Sequence, residues 1–170
     1  MKKSIILLFE ILLFFSSCNN NDITEPEQIG KQVFKILKNL SVNSKAEYER
    51  NFLSIEKLVE LKKNEHIVTE EKSNNKKNSK LKVERFNVIE SNYNNIKERA
   101  AIYGINWKDI EYLDFVYNVE KDNGLTKCRG KIFFKYDDKS FKIEVTSIYT
   151  GNEYKLVEIK NLFLYPEYSL

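Results

Sequence analysis

The sequence predicts an α+β fold, with N-terminal helices packed on a curved antiparallel sheet of about four strands. Two observations carry this. Apolar residues recur every three or four positions up to Tyr103. Beyond Trp107 they alternate with polar ones, and turn signals divide that stretch into strands. Helices followed by strands, each in its own half, define the class.

The elements follow in chain order. Thr24-Glu25-Pro26-Glu27 reads as a helix start: Thr24 caps, Glu27 completes a capping box, and Pro26 suits the first turn. Ile29, Val33, Ile36, Leu37 and Leu40 continue at helical spacing. Ser44 with Glu47 forms a second capping box, opening a segment with Ala46, Tyr48 and Phe52. Ser54 caps a third helix carrying Ile55, Leu58, Val59 and Leu61 on one face. Residues 72–80 lack any apolar side chain and read as an exposed polar loop. The longest helix comes next, with a stripe of Val83, Phe86, Ile89, Tyr93, Ile96, Ala100 and Tyr103, and Gly104 ends it.

In the first strand Leu113, Phe115, Tyr117 and Val119 share a face. Asp122-Asn123-Gly124 is a hairpin signal. Cys128, Gly130, Ile132, Phe134 and Tyr136 then alternate with Lys127, Arg129, Lys131, Phe133 and Lys135. Asp137-Asp138 turns the chain into a strand with Phe141, Ile143 and Val145 on one face and Lys142 and Glu144 on the other. Gly151-Asn152 turns again, and Leu156, Val157, Ile159 and Leu162 fill a fourth strand. One face of this sheet should meet the helices, leaving the Lys-rich face wet.

The N-terminus reads as an export signal. Lys2 and Lys3 precede an apolar run from Ile5 to Phe15, too short for a bilayer span, which takes about 20 residues. Phe15-Ser16-Ser17-Cys18 resembles the lipobox of bacterial lipoproteins, in which the signal is cut before the cysteine and the cysteine receives acyl chains such as palmitate. Phe15 stands where Leu is usual, and Glu10 interrupts the apolar run. The resemblance implies a signal peptide at 1–17, a lipidated Cys18 with a polar tether at 18–25, and a single domain at 26–170. It also implies a place in the cell envelope, with the outer membrane expected and its periplasmic face or the cell surface both open. The tether Asn19-Asn20-Asn21-Asp22 looks like those of Bacteroidetes lipoproteins. The order of helices and strands over about residues 26–164 resembles the cystatin-like, or nuclear transport factor 2-like, cone. The stretch from Gly104-Ile105-Asn106-Trp107 through Asn161-Leu162 is similar to small Flavobacteria-type lipoproteins of unknown function.

Composition narrows the chemistry. The 170-residue chain has 28 Lys+Arg and 25 Asp+Glu. Loss of Lys2, Lys3 and Glu10 leaves near balance, without the basic excess of a nucleic-acid binder, so no nucleic-acid partner is expected. With Cys18 lipidated, Cys128 has no intrachain disulfide partner. Its strand pattern makes it a buried thiol, and Lys127 and Arg129 should point to the opposite face. His66 is the one histidine and follows a charged run, so it reads as solvent-exposed. A metal centre, which needs three or four ligands, is not expected, nor is any cofactor. There is no Gly-x-Ser-x-Gly elbow and no phosphate-cradling Gly-rich loop. Asp114, flanked by Asp109 and Glu111, should face outward, as a surface carboxylate rather than the interior base some cone folds use.

Ten Tyr and eleven Phe remain. Tyr93, Tyr103, Phe134 and Phe141 either fill the core or line a pocket between helix and sheet; filled cores are the commoner use of aromatics. The four lysines of 72–80 could meet anionic headgroups or simply be solvated. The leading expectation is a non-catalytic binding module, held to the membrane through Cys18, for a small apolar ligand or an envelope protein. An envelope interaction protein or toxin inhibitor without a pocket is the alternative, and a cone-fold enzyme with a buried acid is the third class.

Overall fold

The computed structural model describes residues 22–64 and 75–166. Residues 1–17, read above as a signal peptide, Cys18 and His66 lie outside them. Four helices precede four strands: α1 (Pro26–Lys38), α2 (Lys45–Glu49), α3 (Ile55–Asn64), α4 (Asn75–Ile102), β1 (Glu111–Asp122), β2 (Leu125–Tyr136), β3 (Lys139–Tyr149) and β4 (Tyr154–Leu164). The strands form one open antiparallel meander in the order β1-β2-β3-β4. This is the α+β architecture that the periodicities predict.

Local chemistry sets the boundaries. At α1 the N-cap is Glu25, and Gln28 Oε1 accepts from the backbone N–H of Thr24 (2.9 Å) and Glu25 (3.3 Å). The expected box of Thr24 and Glu27 is thus displaced by one residue. At α2, Ser44 N–H donates to Glu47 Oε2 (2.7 Å) and Glu47 N–H to Ser44 Oγ (3.3 Å), the reciprocal box. Ser54 Oγ accepts from Lys57 N–H (3.2 Å) at the start of α3. Gly104 takes φ +67° at the end of α4, a conformation that costs glycine nothing. Asn123 (φ 50°) and Gly124 (φ 79°) are both left-handed, as a two-residue type I′ hairpin requires.

Three expectations change. Residues 75–80 are the first turns of α4 rather than part of a loop; a polar sequence does not oppose a helix when Lys supplies ordinary helix propensity. The apolar stripe of α4 packs only from its middle onward: Tyr93, Ile96 and Ala100 are buried, while Val83 and Phe86 are 59% and 44% exposed. The domain also begins before residue 26. Ile23 is buried and pairs with Tyr154, whose N–H donates to its carbonyl (2.6 Å).

The sheet bends at β-bulges, and α4 is sewn to the two on β4. The registers Thr146↔Glu158 and Ser147↔Leu156 leave Val157 unpaired; Lys142↔Phe163 and Glu144↔Lys160 leave Asn161 and Leu162 between them. Asn161 takes φ 59° there, which Asn tolerates. Arg85 Nη2 donates to Val157 O (3.0 Å) and to Leu53 O (3.2 Å), and Arg99 Nε to Leu162 O (2.5 Å). Between them Asn92 Nδ2 reaches Glu158 Oε1 (3.1 Å). Bulges free carbonyls from the ladder, and Arg85 and Arg99, fourteen positions apart on α4, satisfy those of Val157 and Leu162. A bulge in β1 between Tyr112 and Asp114 turns Leu113 outward, 37% exposed, against its expected place on the inner face.

The core lies between the helices and one face of the sheet. Ile29, Val33 and Leu37 of α1 and Ile96 of α4 meet Ile132, Phe134, Phe141, Ile143 and Ile159. Phe115 sits between two glycines: a Cβ on Gly30 would fall 2.5 Å from Phe115 Cβ, and one on Gly130 would fall 2.2 Å from Phe115 Cε2. Both positions exist to admit that ring.

The first turn of α1 is tied to β1, because the Tyr117 hydroxyl donates to Glu27 Oε1. That bond, with a backbone hydrogen bond, holds Glu27 below its ordinary 4.5, and Tyr117 is pushed up to about 12. A lowered carboxylate stabilises the fold fully above about pH 4.5, and the contribution is lost as pH falls through the lowered value. In a carbon-detected NMR titration, Glu27 should titrate below 4.5, and Tyr117→Phe should return its midpoint toward 4.5. An unchanged midpoint would contradict the pairing.

Candidate functional site

The four aromatics singled out from the sequence, Tyr93, Tyr103, Phe134 and Phe141, pack against neighbouring rings. Phe134 and Phe141 are fully buried and stack with centroids 5.5 Å apart; Tyr103 packs edge-on to Phe141 (5.3 Å) and Trp107 onto Phe134 (6.1 Å). Tyr93 belongs to a separate group, tilted against Tyr48 at 4.9 Å. Among the described residues these rings fill the space between helix and sheet. These contacts favour the core alternative over the pocket.

Cys128 is buried and faces Ser147 across the β2–β3 ladder. Burial pushes its thiol up to about 11, against the opposing pull of the Ser147 hydroxyl. A thiolate nucleophile needs the opposite environment. Asp114 is exposed, and its Oδ1 accepts from Phe115 N–H (2.7 Å). The polar residues buried among those described are Ser140 and Ser147, so the acid considered from the sequence does not face the interior. Among the described residues no group of three His, Cys, Asp or Glu is placed to hold a metal ion, and no helix is long and apolar enough to cross a membrane.

Open space is found on the other side of the sheet. A groove of about 740 Å³ runs over the outer face, with Leu58 of α3 at its side. Val116, Leu125, Ile148 and Val157 supply its apolar surface. Alternation assigned this face to solvent, yet Leu125 and Ile148, diagonal neighbours across β2 and β3, are each only 3% exposed. Phe133, also on this face, is buried beneath Tyr165 (5.1 Å). The expectation of a uniformly wet, Lys-rich outer face is therefore corrected.

Charged residues border the apolar ones. Arg129 pairs with Glu120 (3.1 Å) and Asp122 (3.7 Å), Lys127 with Asp122, and Lys160 with Glu158 (2.7 Å). Glu144 accepts from Asn161 Nδ2 (2.8 Å). Lys131 lines the groove opposite Val116, and among the described residues it has no ion pair or hydrogen bond. The groove thus offers an apolar floor bordered by charge, where Lys131, across the β2–β3 ladder from Glu144, makes no ion pair among the described residues. That combination is an open cleft with apolar residues at its floor and charge along its border. Its volume falls in the usual range of about 300–1,000 Å³ for small-molecule sites.

The site was missed because its residues come from the odd positions of β2 and the even positions of β3, which a two-period reading assigns to water. The signal that could have found them is the pair Leu125 and Ile148, apolar residues on an otherwise charged face. No protein-family model matches the chain, and no curated protein or solved structure matches it either. The fold and the groove define the class on their own terms: an open α+β domain with a filled core and an outer-face cleft.

Proposed function

We propose that the protein is a membrane-anchored extracytoplasmic lipoprotein that binds, without catalysis, a small ligand with an apolar body in the outer groove of its sheet. The observation that carries the binding half is the groove itself: enough volume for a ligand, an apolar floor, and Lys131 left to meet a polar end. The lipobox-like Phe15-Ser16-Ser17-Cys18 supports the anchoring half.

Native mass spectrometry of the mature protein, extracted in a mild detergent, tests the groove. Thr146 lies on the outer face of β3 and lines it centrally, opposite Arg129 and Glu158. One added mass per chain is expected, and Thr146→Trp should remove it by filling the groove while the fold stays intact by circular dichroism. Absence of any added mass, or one that Thr146→Trp leaves in place, would contradict the reading. A second reading, an interaction protein, is favoured by one feature: Val83 and Phe86, one turn apart on α4, are 59% and 44% exposed, apolar side chains on one face of the kind partners cover.

A further inference from the structure

The fold closes one edge of its sheet and leaves the other open. Along β4, Tyr154 N–H donates to Ile23 O (2.6 Å) and Leu53 N–H to Leu156 O (2.7 Å), so chain outside the sheet takes up that edge. Along the outer edge of β1 the described residues make no such bridge or backbone bond. The two-residue turn at Asn123–Gly124 makes Asp122 and Leu125 a hydrogen-bonded pair, and the register runs unbroken from there to Asp114↔Phe133. Even-numbered residues from Asp122 back to Asp114 therefore bond β2. Phe115, Tyr117, Val119 and Lys121 turn N–H and C=O to the open edge. The Phe115 N–H on that edge donates to Asp114 Oδ1 (2.7 Å), a local substitute for a neighbouring strand. Val116 and Val119 are 54% and 40% exposed. An open edge with apolar side chains is a template for another strand.

We propose that this strand is β1 of a second copy of the chain, running antiparallel about a two-fold axis at Val116. The proposal goes beyond the groove and the anchor and depends on neither. Such an axis sets Phe115 opposite Tyr117, both edge-facing, so that they exchange backbone hydrogen bonds. It sets Val116 against Val116, and Asp114 against Asn118, whose amide donates to the carboxylate. Toward the strand ends it brings Glu111 of each copy to Lys121 of the other, opposite charges. Neighbouring registers lack this complementarity. An axis at Tyr117 puts Asp114 opposite Glu120, and one at Asn118 puts Asp114 opposite Asp122. Like charges directly opposite one another destabilise a strand pair. The strand thus complements itself, as a two-fold interface requires. Since Val116 and Asn118 line the outer groove, the second copy extends that face of the sheet.

Cysteine crosslinking of the full chain tests this. Val116→Cys, Asn118→Cys and Asp138→Cys, all at exposed positions, are purified in mild detergent and oxidised with copper phenanthroline. The unaltered chain, with Cys18 and the buried Cys128, gives the background. The axis joins the two 116 positions directly. It leaves the two 118 positions four residues apart along the strand, roughly 13 Å, beyond disulfide reach. Several-fold more crosslinked dimer from Val116→Cys than from the other two is the expected result. Val116→Lys, which sets two cations against each other, should sediment at half the protein mass of the unaltered chain with its circular dichroism unchanged. Equal crosslinking at the three positions, none above background at 116, or an unaltered chain that sediments as a monomer overturns the proposal.

Discussion

Phe134→Ala should lower the free energy of unfolding by about 3–5 kcal/mol, the range for removing a buried aromatic ring. Phe134 is fully buried on the inner face of β2, stacks on Phe141 directly across the β2–β3 ladder and touches Trp107. Its neighbours along the ladder, Ile132 and Ile143, are fully buried too. The strands on which they sit are held in register on both sides. The site therefore has little freedom to collapse, and the cavity cost adds to the lost transfer energy. Domains of this size have about 5–15 kcal/mol in all, so the loss is a large fraction of the total. Urea unfolding with an unchanged slope and a lowered midpoint would show it. A loss below about 1 kcal/mol would mean that the ring borders open space, and the pocket between helix and sheet would return.

Much of this fold could be read before its structure. Ser44 and Glu47, Ser54, Gly104 and the Asn123-Gly124 turn act through local backbone chemistry, so their effects are written in neighbouring residues. The inner faces of β2 and β3 followed simple alternation. What alternation could not show is where the sheet bends. The bulges at Val157 and around Asn161 are positions where β4 curves against α4, and nothing local to them demands a bulge. Their partners, Arg85 and Arg99, lie on a distant helix whose apolar stripe drew attention away from its charged residues. Leu113 was misplaced for the same reason, since one bulge reverses the side to which a strand residue points.

The candidate site was less legible than the fold. Sequence reasoning looked for a ligand among the aromatics, because rings that large can line a pocket. Here Tyr103, Trp107, Phe134 and Phe141 close on one another instead. The groove came from the face given to solvent, where Val116, Leu125 and Ile148 are interspersed with Lys127, Arg129 and Lys131. An apolar residue on a charged face is common and means little alone. Only the curvature of the sheet and the position of α3 bring Leu58 and Val157 beside the others.

The second large effect concerns Cys18. Replacing it with alanine removes the thiol to which acyl chains attach in the lipoproteins that this segment resembles. Buried acyl chains contribute about 0.8 kcal/mol per CH₂, so two or three of them hold a protein where the 11-residue apolar run, once cut away, cannot. The most direct measurement is therefore the mass and location of the Cys18→Ala chain expressed beside the unaltered one in a bacterial host. The account predicts that the unaltered protein begins at Cys18, carries acyl mass and sediments with membranes, and that Cys18→Ala persists as an uncut, unacylated precursor. A variant that still matures to the same start and remains on the membrane would contradict the anchor on which this reading of the protein rests.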